Sequence, residues 1–159
     1  MVVAIVGILA AIAGPQFSDM IRNTRLSAAS SALQVSLSLA RSEAIKRGAD
    51  ARVTVVAKGT AGHFENGWVV FVDSTGNGNG GVAPAVDAST LEVAAAPNAV
   101  SFSKNFAANY LTYNGQGRVN AFGSLYFFSG TSDNYCLVIS SSGRVRVTRV
   151  GSGVACPAA

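Results

Sequence analysis

The stretch MVVAIVGILAAIAGPQF (residues 1–17), with its continuation to ARSEAIKRG (40–48), decides the fold. Fourteen residues pass before Pro15 without a charge or a strongly polar group. That run is too short to cross a bilayer alone, which takes about 20 apolar residues. No basic segment or small-residue cleavage site marks it as a signal peptide. The pattern continues instead: Leu26, Leu33, Leu37, Ala40 and Ala44 fall on one helical stripe, with Ser, Thr, Gln and Arg between them. Glu43 and Arg47 are four apart and can pair, and Gly48 supplies a stop. The spacing predicts one helix from residue 2 to about 47, about 65–70 Å long. Its first third is apolar all round, suited to lipid or to like helices, and its last half is amphipathic. Pro15 is expected to kink or locally melt it. The alternative is a buried core helix with a second helix after Pro15.

Beyond Gly48 the period changes. ARVTVVA (51–57), GWVVFVD (67–73), LEVAA (91–95), AVSFS (99–103), YLTYN (110–114), SLYFFSG (124–130), YCLVIS (135–140) and GRVRVTR (143–149) read as short strands. Turn pairs such as Asn66-Gly67, Asn114-Gly115, Gln116-Gly117 and Ser142-Gly143 separate them. The fold class is therefore α+β: a long N-terminal helix packed on an antiparallel β-sheet head. Residues 1–24 form the hydrophobic part and 25–159 the head. The Gly- and Ala-rich segment 74–90 lacks apolar anchors and reads as a mobile hairpin loop. Within it, DSTGNG (73–78) has oxygen ligands at alternate positions like a calcium loop, but its twelfth position is Pro84 rather than a glutamate. A turn-rich loop is the reading adopted.

The chain has 159 residues, and its formal net charge of +4 is unevenly spread. Arg144, Arg146 and Arg149 lie in six positions, and no acid follows Asp133. On a strand, residues two apart share a face. Val145 and Val147 should face inward, and Arg144, Arg146 and Thr148 outward. Arg149 joins them only if the strand ends or bulges near Val150. The two cysteines, Cys136 and Cys156, flank this segment. In an oxidising compartment they can close a disulfide loop, worth about 3 kcal/mol in the chain-entropy model. In the cytosol they would be two ordinary thiols.

Catalytic chemistry is not visible. His63 is the only histidine and reads as a loop residue, so no His cluster can hold a metal. GNGNGG lacks the Lys-Ser/Thr of a phosphate loop. Asp73 and Asp87 have no evident partner. Tyr110, Tyr113, Tyr126, Phe127 and Phe128 stand at strand spacings without interleaved bases and read as core. No cofactor, metal or small-molecule substrate is expected.

MVVAIVGILAAIAGPQF followed by the stripe to ARSEAIKRG resembles the start of a type IV pilin or pseudopilin, joined partway through that family's hydrophobic helix. About six further apolar residues upstream would reach spanning length. GWVVFVDSTGNG, LTYNGQGRVNAFGSLYFF and CLVISSSGRVRV resemble, in order, the blocks of the FimT/GspH group of minor pilins and pseudopilins. The cysteine pair is more like the FimT- and FimU-type branch. The resemblance implies a single-pass inner-membrane precursor, a periplasmic head and an extracellular filament of other pilins. In that compartment Cys136 and Cys156 should oxidise, holding the arginine strand at both ends. Gly143-Arg144-Val145-Arg146 matches a GRxR motif linked, in some FimT-type members, to DNA uptake in natural transformation.

Guanidinium binds phosphate in bidentate fashion, so Arg144, Arg146 and Arg149 would read a duplex backbone without regard to sequence. Gly143 and Arg118 belong to the same candidate set, with Lys58 a weaker addition. The competing role for these arginines is contact with acidic faces of adjacent pilins or capping of a hairpin. Two other readings of the whole chain stand beside it. One is a GspH-like pseudopilin at the tip of a type II secretion pseudopilus. The other is an unrelated membrane-anchored β-domain.

Overall fold

In a computed structural model of the chain, residues 2–59, 63–130 and 133–159 are described, with side chains from Phe17 onward. One helix, α1, runs Val2–Arg47. It continues through Pro15, where a kink or local melting is expected, without a break in the helix. The missing N–H removes one bond from a long ladder and does not end it. Among the described residues no helix is long and apolar enough to cross a membrane. The helix closes at Gly48, whose N–H donates to the Ile45 carbonyl. Arg47 and Lys46 both pair with Glu43, and the Arg47 hydrogen bond leads in lowering its carboxyl pKa.

Eight strands follow: β1 (Arg52–Ala57), β2 (Trp68–Val72), β3 (Thr90–Ala94), β4 (Ser101–Lys104), β5 (Tyr110–Asn114), β6 (Gly123–Phe128), β7 (Asn134–Ile139) and β8 (Val145–Val150). They form two four-stranded antiparallel sheets, in the orders β3-β2-β1-β5 and β4-β6-β7-β8. Each sheet turns alternate residues toward α1. Val53, Val55, Trp68, Val70, Leu111 and Tyr113 come from the first, and Leu125, Phe127, Leu137 and Ile139 from the second. They meet Leu26, Leu33, Leu37, Ala40 and Ala44, all wholly buried. The helical stripe is thus the shared inner layer of both sheets. A polar node fixes its register: Trp68 Nε1 donates to Ser36 Oγ (2.8 Å), which donates to Glu92 Oε1 (2.8 Å).

The loop between β2 and β3 has anchors that its composition hid. Asp73, 4% exposed, accepts from Thr75 N and Oγ1, Gly76 N, Gly78 N and Thr54 Oγ1 at 2.7–3.1 Å. Donors fill its oxygens where a calcium ion would need acceptors, so this is a turn built on a carboxylate. The loop then folds onto the outer face of the first sheet, where its Ala83, beside Tyr110 of β5, packs on Val56, Val69 and Phe71. Burial acts to raise the Asp73 pKa, but the bonds from Thr75, Gly78, Gly76 and Thr54 outweigh it and the net shift is downward. A depressed carboxyl pKa contributes stability above the unfolded value and loses it as pH falls through the folded value. The stability gap between wild type and Asp73→Asn should therefore close as pH falls from about 5 to about 2. Urea melts at several pH values measure it. A constant gap would mean that Asp73 acts through packing alone.

Candidate nucleic-acid interface

The β7–β8 hairpin reverses over Ser140–Arg144. Gly143 N donates to Ser140 O (2.8 Å), Ser140 N to Arg144 O (3.0 Å) and Arg144 N to Ser140 Oγ (3.2 Å). Gly143 has φ +77°, as a three-residue hairpin loop with a left-handed last position requires. The chain after β5 repeats this arrangement over Asn114–Arg118. Gly117 N donates to Asn114 O (2.8 Å), Asn114 N to Arg118 O (3.0 Å) and Arg118 N to Asn114 Oδ1 (3.0 Å). Gly117 has φ +74°.

The two turns lie side by side. A Cβ on Gly143 would run into the Gly117 carbonyl and, at 2.9 Å, Tyr113 Cε1. Gly143 is therefore buried structure beneath the arginines and not itself a surface group. Tyr113 is fully buried, and burial pushes its phenol pKa up, keeping it neutral. From α1, Arg41 reaches across both turns: Nε donates to Gly117 O (3.1 Å) and Nη2 to Ser142 O (3.3 Å).

Arg118, Arg144 and Arg146 are all exposed. Arg118 and Arg144 each follow one of the two touching glycines, and Arg144 and Arg146 line one shallow depression beside β8. Among the described residues, no carboxylate lies within 4.0 Å of any of the three. Arg149 is different. The β7–β8 register is unbroken from Ile139–Val145 to Asn134–Val150, so no bulge carries Arg149 to the face of Arg146. It shares the face of Val145 and Val147, borders α1 beside Asn23 and Ser27, and pairs with Asp133. That hydrogen bond raises its pKa further. Lys58 is also engaged elsewhere, donating to Ala94 O (2.8 Å) at the end of β3.

Cys136 and Cys156 form a disulfide. It anchors the segment after β8 to β7, and Ser124 Oγ donates to Pro157 O (2.9 Å) beside it. Cys136 and Val138 are thereby covered on the outer face of the second sheet. His63 lies in the loop before β2, 3.6 Å from Glu65. Among the described residues, no three His, Cys, Asp or Glu side chains are grouped as metal ligands.

Sequence reasoning missed Arg41, because an arginine on an amphipathic helix reads as solvated surface. A signal for the paired turns was present: Gly-Arg-Val occurs at 117–119 and again at 143–145, each three residues after a side chain that can accept from the turn.

The model of the family described as "Type II transport protein GspH" matches residues 29–143. No curated protein sequence matches the chain. Two crystal structures of the type IV minor pilin FimU from Pseudomonas aeruginosa (strain PAO1) are similar in fold. The form in space group P21 has a TM-score of 0.64 at 19% identity, covering 79% of this chain and 90% of that one. The P65 form has a TM-score of 0.58 at 19% identity, covering 77% and 92%.

Proposed function

The chain belongs to the GspH family, a structural group of minor pilins and pseudopilins, and from that premise we propose that it is a type IV pilus minor pilin whose paired Gly-Arg turns bind duplex DNA. The family implies assembly from the membrane into an extracellular filament with other pilins. The apolar first third of α1 is the part suited to the inner membrane before assembly and to the filament core afterwards. DNA uptake in natural transformation is the process such a receptor would serve.

The support for the DNA reading is three exposed arginines with no carboxylate within 4.0 Å among the described residues. Two of them, Arg118 and Arg144, stand on touching turns stiffened by matching hydrogen bonds. Stiff turns lose little entropy when a polyanion docks. Three guanidiniums facing phosphates should give a log K versus log salt slope near about −2.7 on duplex DNA. Affinity per head should be about micromolar, with avidity gained from several subunits.

The test is fluorescence anisotropy with the full chain in mild non-ionic detergent and a 30-base-pair duplex. Arg118→Ala/Arg144→Ala/Arg146→Ala should abolish measurable binding at moderate salt. Arg149→Ala should leave the salt slope unchanged, because that arginine is engaged with Asp133. Equal binding by the triple variant and wild type sinks the assignment.

The family's description as a type II transport protein favours a second reading, a pseudopilin at the tip of a secretion pseudopilus. In that case the arginines meet acidic faces of neighbouring subunits. No DNA binding by wild type, together with charge-dependent binding to a neighbouring pseudopilin, selects it.

A further inference from the structure

We propose that Arg41 is a positioning residue that joins the two Gly-Arg turns into one phosphate-binding surface. The proposal rests on the DNA reading above. The two turns come from different sheets. Asn114–Arg118 leaves β5 of the first sheet, and Ser140–Arg144 joins β7 to β8 of the second. Among the described residues, no backbone hydrogen bond links a strand of one sheet to a strand of the other. Gly143 packed on the Gly117 carbonyl and on Tyr113 limits how closely the turns approach. Such a contact is non-directional and does little to stop one turn sliding along the other.

Arg41 supplies the missing direction. Its planar fork presents donors at fixed angles, and two of them take one carbonyl from each turn. Arg41 sits between the wholly buried Ala40 and Ala44, in the part of α1 that is packed on the head. Its grip is thus referred to a fixed element. Phosphates recur along a duplex at set intervals. Arg118 and Arg144 can both contact them without an added ordering cost only when their separation is fixed beforehand. A lysine at 41 would keep the charge and three donors but lose the planar fork, so it would not hold the two carbonyls at a fixed angle.

This separates a clamp from a fourth phosphate contact. In the anisotropy assay, full-length Arg41→Lys and Arg41→Met should weaken binding alike, by about three- to tenfold. Arg118→Ala should also cost less in the Arg41→Met background than in wild type, because the two act as a unit. If Arg41→Lys binds like wild type and the costs of Arg41→Met and Arg118→Ala simply multiply, charge alone matters and the clamp is wrong. If wild type binds DNA and Arg41→Met binds equally well, the clamp falls and the DNA reading stands. If wild type does not bind, both fall. Lys and Met are good helix formers, so α1 should tolerate them. A measurement on the wild-type protein needs no variant: the Arg41 Nε–H should exchange with water more slowly than those of Arg118 and Arg146. Equal exchange counts against the clamp.

Discussion

Leu33→Ala should lower the unfolding free energy of the head by about 3–5 kcal/mol, the upper part of the range for such a truncation. Leu33 is wholly buried, midway along a stripe that both sheets share. Most core residues face one neighbouring layer. This one is enclosed by the helix's own turns and by side chains from two sheets that cannot close toward each other without leaving α1. Poor collapse is what drives such costs to the upper end of their range. Urea denaturation followed by far-UV circular dichroism should show a lower midpoint with an unchanged slope. A loss below about 1 kcal/mol would mean that the sheets do not depend on the helix.

Removing the disulfide should cost about 3 kcal/mol, from the loop that Cys136 and Cys156 close. DNA affinity should change by less than about twofold, because the arginine hairpin has its own support. The six paired positions from Ile139–Val145 to Asn134–Val150 hold β8 without help from the cysteines, and the turn bonds hold Arg144. The structure thus refines the sequence expectation of a strand fastened by its ends. The bridge fastens the segment after β8 to β7, and β8 is fastened along its length. Cys136→Ser/Cys156→Ser, compared with wild type in thermal melts and in the anisotropy assay, separates the two effects. A tenfold loss of affinity alongside the loss of stability would return the disulfide to the binding site.

Local rules carried the sequence reading a long way where one period ruled one segment. The five positions from Leu26 to Ala44 declare their buried face by spacing alone, and every one of them is inaccessible. All eight strand segments exist, with no end shifted by more than two residues. What spacing could not supply was anything set by register between distant segments. The partner of Arg149 is Asp133, brought near only because Asn134 pairs with Val150. The turn that carries Arg144 lies against the turn that carries Arg118 only because Gly143 and Gly117 meet where two sheets adjoin. Asp73 looked unpartnered because three of its donors are backbone N–H groups, which carry no sequence signature.

The arrangement of the sheets also bears on mechanics. Each is a closed set of ladders, and each rests on the same helix. A filament subunit is tugged by its neighbours, and the head has a natural parting plane along the line where the sheets adjoin. Opening it breaks no ladder. What resists is the grip of greasy side chains on a common axle, helped by the Arg41 guanidinium that spans the gap.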